Sequence, residues 1–233
     1  TAVLLSAQLA SNTQLWAIDG SRRLKIKGLN FKATGSGVAL IHFTDSTRDV
    51  IVDDCKFDAT IMHITSKAND SKNVAVDHVL ISNCEFKNGT TDRVVWLAGF
   101  NSKDITIKNN TFQNCNYAIG IRNIDSATII GNVIKTTQVG IDINTVQSFN
   151  ISNNTIQVAN FSLTFEFLNG AGTSVLVNNV LYSKLTEAIT SDHVSSAKVR
   201  GAYNTIVSGG SSVIRYGSPF GSGAIDYNFT NNN

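Results

Sequence analysis

LKIKGLNF (24–31), VIVDDCKF (50–57), VLISNCEF (79–86), ITIKNNTF (105–112), ATIIGNVI (127–134), FNISNNTI (149–156) and VLVNNVLY (175–182) are seven copies of one phrase. A shorter eighth, AKVRGA, stands at 197–202. Each copy alternates apolar and polar residues, then places Gly, Asp or Asn at one position: Gly28, Asp54, Asn83, Asn109, Gly131, Asn153, Asn179 and Gly201. In the seven full copies a large apolar residue follows three places on. The steps between these positions are 26, 29, 26, 22, 22, 26 and 22 residues. An apolar period of two means strand. Gly, Asn and Asp at one fixed place mean a sharp turn through backbone conformations that these residues tolerate. A step of about 22 residues is too short for a propeller blade or a HEAT-type helical unit. Three short strands and three turns account for its length.

Such coils can only stack. Neighbouring strands lie about 4.8 Å apart, so eight coils make a rod of roughly 40 Å. Equivalent side chains then form ladders along the axis. Phe31, Phe57, Phe86, Phe112, Ile134, Ile156 and Tyr182 are expected to build one buried ladder. The turn asparagines are expected to build another, with amides bonded along the axis as in stacked sheets. Cys55 and Cys84 fall at equivalent places in adjacent coils and read as stacked buried thiols, with a disulfide as the alternative.

Composition agrees with an all-β chain. Charged residues make up 15% of the 233, and there is one proline, Pro219. Asn, Ser, Thr, Ile and Val are abundant, which favours strands over helices. A net charge of +2 gives no electrostatic case for a nucleic-acid partner. No apolar run approaches the roughly 20 residues of a membrane span. Cys55, Cys84 and Cys115 are an odd set without metal-type spacing, so no metal site is expected from them.

The repeat resembles the right-handed parallel β-helix of the pectate-lyase-like superfamily, which includes polysaccharide lyases, pectin hydrolases and bacteriophage tailspikes. The resemblance runs from about Leu24 to about Val207 and implies a single-stranded helix of about eight to nine coils. It is specific for architecture and not for activity, because the repeat is scaffold. One β-helix domain over 1–233 is expected, with 1–20 as a first coil and 208–233 as a looser terminal coil. No amphipathic capping helix is visible, and this reads as a fragment of a longer chain.

The strand that precedes each copy carries the chemistry. Alternation in IHF, MHI, VVWLA, AIGIR, GIDIN and LTFEF assigns an outward ladder of His42, His63, Trp96, Gly120, Asp142 and Glu166. An outward Trp96 lacks a packing reason unless the insertion at 65–77 or a neighbouring subunit covers it, and flat rings bind sugar faces. Gly120 leaves a gap for a ligand to approach the backbone. Asp142 and Glu166 are expected about 5 Å apart, one strand spacing. Carboxylates that close can share acid and base roles, and the separation fits a retaining glycosidase. Arg122 and Arg93 could bind an acidic sugar or hold the carboxylates ionised. The competing reading is a solvated face or a site for a stray cation.

The function expected is therefore a carbohydrate-active β-helix that binds and cleaves a polysaccharide on its outer wall, of tailspike or depolymerase type. Asp142 and Glu166 are the catalytic candidates, and Trp96, Arg122, Arg93, His63 and His42 the substrate-binding ones. A non-catalytic glycan-binding adhesin or virion fibre domain is the first alternative. A secreted lyase is the second, and it is the reading that would bring in Ca²⁺; otherwise no cofactor is expected. Location outside the cell or on a virion surface follows from these readings. Virion β-helices assemble side by side, so a homotrimer is an expected assembly.

Overall fold

A computed structural model of the chain describes residues 3–11, 13–44, 47–66, 76–90, 92–166, 168, 172–192, 197–216 and 225–230. Those residues form strands, turns and bends, and no helix among them is long and apolar enough to cross a membrane. Among the described residues all pairings are parallel, and each strand pairs with strands one coil before and after it, except at the two ends of the stack, where it pairs on one side. The result is a parallel β-solenoid of about eight turns with three faces, as the repeat implies. Leu29–Gly35, Lys56–Asp58 and Glu85–Lys87 begin the first face, which follows the repeated turn. Ala39–Thr44, Met62–Thr65 and Arg93–Ser102 begin the second. Arg22–Lys27, Arg48–Asp53 and Asp77–Ser82 begin the third. Thr111–Ile130 and Val133–Ser152 each run through all three faces. Val3–Leu9 and Gln14–Asp19 stack below the first and second faces.

The repeated turn is left-handed in every coil. Gly28, Asp54, Asn83, Asn109, Gly131 and Asn153 have φ between 54° and 69°. A Cβ at Gly131 would in addition press on the tip of the exposed Asn109 side chain, which would have to turn aside. The last two turns fall on Asn178 and Tyr203 rather than on Asn179 and Gly201. The seventh copy therefore starts one residue earlier than its apolar pattern suggests. Leu181, not Tyr182, stacks on Ile156 in the core, and Tyr182 is turned to solvent.

Asn179 is needed one place later, in the interior. Asn110, Asn132, Asn154, Asn179 and Asn204 form a ladder of buried amides, each at most 1% exposed. The Nδ2 of each of the first four donates to the Oδ1 of the next at 2.9–3.1 Å. That Oδ1 also accepts the backbone N–H of the earlier residue at 2.9–3.0 Å. The ladder thus runs through the residue after the turn, not through the turn residue. The reason is local geometry: the left-handed residue turns its own side chain outward and its successor inward. Cys84 continues the same column, its backbone N–H donating to Asn110 Oδ1 at 2.8 Å. Cys55, Cys84 and Cys115 are free buried thiols. Burial pushes the Cys115 thiol up to about 11, so it stays protonated and inert.

Two places further along, the core column is aromatic. Phe31, Phe57, Phe86 and Phe112 stack with ring centroids 4.7–4.9 Å apart. His63 joins this stack instead of facing out. Its ring lies 6.1 Å from Phe57 and 5.9 Å from Phe86, is fully buried, and contacts Ala59 O through Nε2 at 2.9 Å.

Two predictions follow from the ladders. Asn132→Ala removes an acceptor of two donors and a donor to Ile107 O, leaving buried groups unpaired; it should cost ~3 kcal/mol in urea unfolding. Burial holds the His63 imidazole down at about 4, against an ordinary value near 6.5. Below pH 6.5 the unfolded chain takes up a proton that the folded chain refuses, so stability is full above 6.5 and falls on acidification. Between pH 6.5 and 5 this group alone should remove about 2 kcal/mol. His63→Leu should flatten that part of the stability–pH curve, and an unchanged slope would remove His63 as its cause.

Candidate functional site

The second face carries the site. Its outward column reads His42, Thr65, Trp96, Gly120, Asp142, Thr164, Thr190 and Arg215. His42, Trp96, Gly120 and Asp142 stand in one column as their alternation implies. His63 and Glu166 do not: Thr65 and Thr164 occupy those rungs. Glu166 does face out, but two residues further along its strand, in a second column with Ala98, Arg122, Asn144 and Asp192. The displacement has a simple cause. Gly120, Asp142 and Thr164 each lie eleven residues after a repeated turn, at Asn109, Gly131 and Asn153. The longer coil after Glu166 takes its extra residues beyond the strand, so counting back from the next turn misplaces the acid.

Asp142 is only 6% exposed, and its oxygens are bonded. Arg93 donates to Oδ2 from Nε at 2.8 Å and from Nη2, and Thr164 Oγ1 donates to Oδ1 at 2.6 Å. Arg93 also pairs with Asp92 through Nη1 at 3.2 Å. Burial alone would lower the Arg93 pKa; the Asp142 and Asp92 carboxylates outweigh it and hold it above the ordinary value. To reach Asp142, Arg93 crosses the adjacent coil directly over Gly120. A Cβ on Gly120 would meet Arg93 Cδ at 2.2 Å. The gap expected to admit a ligand is filled by the protein's own arginine.

The same side chain accounts for Trp96. The Arg93 guanidinium carbon sits 4.4 Å from the Trp96 ring centroid and 5.1 Å from that of Tyr117. A cation stacked on the ring supplies the packing that the sequence left missing. Residues 67–75, most of the insertion expected to flank Trp96, lie outside the described residues.

Beside this ion pair lies a cavity of about 220 Å³. Arg93, Tyr117, Val139 and Phe161, a third outward column at the corner of the rod, form one wall. Asp142, Thr164, Thr190 and Arg215 form the floor, and Glu166 and Asp192 the opposite wall. Asn144 Nδ2 donates to Glu166 Oε2 at 2.7 Å, with Thr145 Oγ1 bonded to Asn144 Oδ1 at 2.8 Å. Glu166 stacks in register on Asp192, so this is the carboxylate pair at one strand spacing. Asp142 and Glu166 are diagonal, about 8 Å apart by strand spacing and rise. Arg122 is exposed and His42 half-buried, and neither lines the cavity. Tyr117, Phe161, Thr190, Asp192 and Arg215 escaped the sequence reading. Counting forward from the turns would have found Thr164, but the corner column obeys no alternation.

The profile of the family described as periplasmic copper-binding protein (NosD) matches residues 3–214. Among solved structures, the chain is similar to PfbA, a surface adhesin of Streptococcus pneumoniae. The two share 12% identity and a TM-score of 0.37 over 88% of this chain and 72% of that one. No curated protein matches.

The role given to Gly120 can be tested by a double-mutant cycle. Arg93→Ala should cost about 2 kcal/mol by leaving Asp142 buried without its cation, since the pair is only partly exposed. Gly120→Ala should cost a similar amount by pushing Arg93 aside, and little more once Arg93 is already Ala. Strict additivity in urea unfolding would remove the assigned link.

Proposed function

The chain belongs to the NosD family of parallel β-helix proteins, and on that footing we propose that it works outside the cytoplasm as a wall that binds a polysaccharide in the cavity beside Asp142. The observation that carries this is the lining. The rings of Tyr117 and Phe161 line the same cavity as the carboxylates of Glu166 and Asp192 and the hydroxyl-bearing Thr190. Rings take the apolar faces of sugars, and carboxylates take their hydroxyls. The Arg93–Asp142 pair acts as a fixed strut that sets the floor and supports Trp96 and Tyr117.

Copper, named in the family description, does not fit the residues seen. Copper sites use imidazole, thiolate or thioether ligands gathered together. Among the described residues no group of three His, Cys, Asp or Glu could hold a metal ion. His63 and the thiols are locked in the core, and His78 is held between Asp49 and Asp104 at 3.1 Å on each side. His193 lies outside the described residues. The same absence leaves Ca²⁺-assisted lyase chemistry without a cluster to support it among those residues.

A second reading is hydrolysis. Asp142 and Glu166 stand on neighbouring rungs in different columns, so they lack the in-register spacing expected of a retaining pair. The bonds that engage both Asp142 oxygens weigh against its acting as acid or base, and binding without cleavage is the reading preferred here.

A panel of neutral, acidic and amine-bearing polysaccharides, followed by calorimetry and by reducing-end release, separates the two. Binding without new reducing ends is expected, and Phe161→Ala or Tyr117→Ala should weaken it about tenfold. Cleavage lost in Asp142→Asn and Glu166→Gln, with the fold intact, would establish hydrolysis instead. Silence across the panel would end the saccharide reading.

A further inference from the structure

Resting on the saccharide reading, we propose that the cavity selects a sugar residue carrying a free primary amine, held as its ammonium by Glu166, Asp192 and Thr190. Thr190 Oγ1 is buried, in a residue only 6% exposed, and has no hydrogen-bond partner. It lies on the cavity floor in the column that holds Thr164 one coil earlier. There the hydroxyl of Thr164 is satisfied by Asp142; Thr190 has no such carboxylate on its own column. A buried hydroxyl left unpaired is unfavourable, and the ligand that occupies the cavity is the natural partner.

The charges around it specify what that ligand carries. Arg93 is neutralised by Asp142 and Asp92. The remaining charges on the lining are the stacked carboxylates of Glu166 and Asp192 and the guanidinium of Arg215. Arg215 continues the central column beyond Thr190, while the acids stand together two residues further along their strands. The acid side of the cavity is therefore net negative. An ammonium has three N–H donors, and Glu166, Asp192 and Thr190 Oγ1 present three acceptors to it. A neutral acetamide at the same carbon lacks that charge and is bulkier, and an anionic sugar meets two carboxylates. Charge-assisted bonds of this kind separate the amine from its neutral analogue.

The test is calorimetric titration at about pH 6, where the amine is protonated, with three tetramers: β-1,4-linked glucosamine, N-acetylglucosamine and glucose. The glucosamine tetramer should bind at least about tenfold more tightly than either neutral one. Asp192→Asn and Thr190→Val should each bring the affinity for the glucosamine tetramer to within about threefold of that for the glucose tetramer on the same variant, whatever either does to neutral binding. Two variants are used so that loss of fold in one, seen by thermal unfolding, leaves the other to decide. Equal binding of all three tetramers would overturn the amine site and leave the saccharide reading standing. Binding of the neutral tetramers alone would do the same. Failure of all three to bind would overturn both.

Discussion

A polar side chain buried in a stack of coils finds most of its partners along the axis, in the coil above and the coil below. The asparagine ladder meets that constraint. An Asn amide has both donors and an acceptor, and at a spacing of one strand each can serve the next while also tying down a backbone N–H. From Asn110 to Asn204 the interior side of the turn is held by this repeated unit. Before it, Cys84 and Cys55 occupy the column and the neighbouring core becomes aromatic, with four stacked phenylalanines doing by packing what the amides do by hydrogen bonding. The rest of the molecule depends on this axial register, because each outward column inherits it.

An outer wall built this way is regular, and departures from it stand out. The largest one begins with Gly120. By leaving its rung empty it lets Arg93 fold across a coil to Asp142, under which Thr164 closes the remaining oxygen. One arginine then orders two aromatic rings and one acid, and its charge is spent within the protein. The chemistry left open to a ligand is displaced to the next rungs, where Glu166, Asp192 and Thr190 border the same cavity.

Much of the fold was legible in the residues. The period of two, the glycine or asparagine turn and the step of 22 to 29 residues imply stacked three-stranded coils, and six of eight turn positions fall where the copies place them. The outward direction of Trp96, Gly120, Asp142 and Glu166 was also legible, because alternation within one strand is a local property. The interior position of His63 was not. Met62, His63, Ile64 and Thr65 form a four-residue strand that is buried throughout, too short and too near a corner for alternation to assign a face.

The sequence by itself determined the class of fold, the turns, the columns that carry large apolar residues in most coils, and the face on which polar chemistry gathers. Those features are set within a few residues of the chain by backbone sterics and the alternation of a strand. Only the tertiary structure decided which residues share a rung, since extra residues in a coil may fall before or after a strand and shift its partners without changing its pattern. That is why the stacked carboxylates are Glu166 and Asp192, why Asp142 belongs to Arg93, and why the space over Gly120 is already filled.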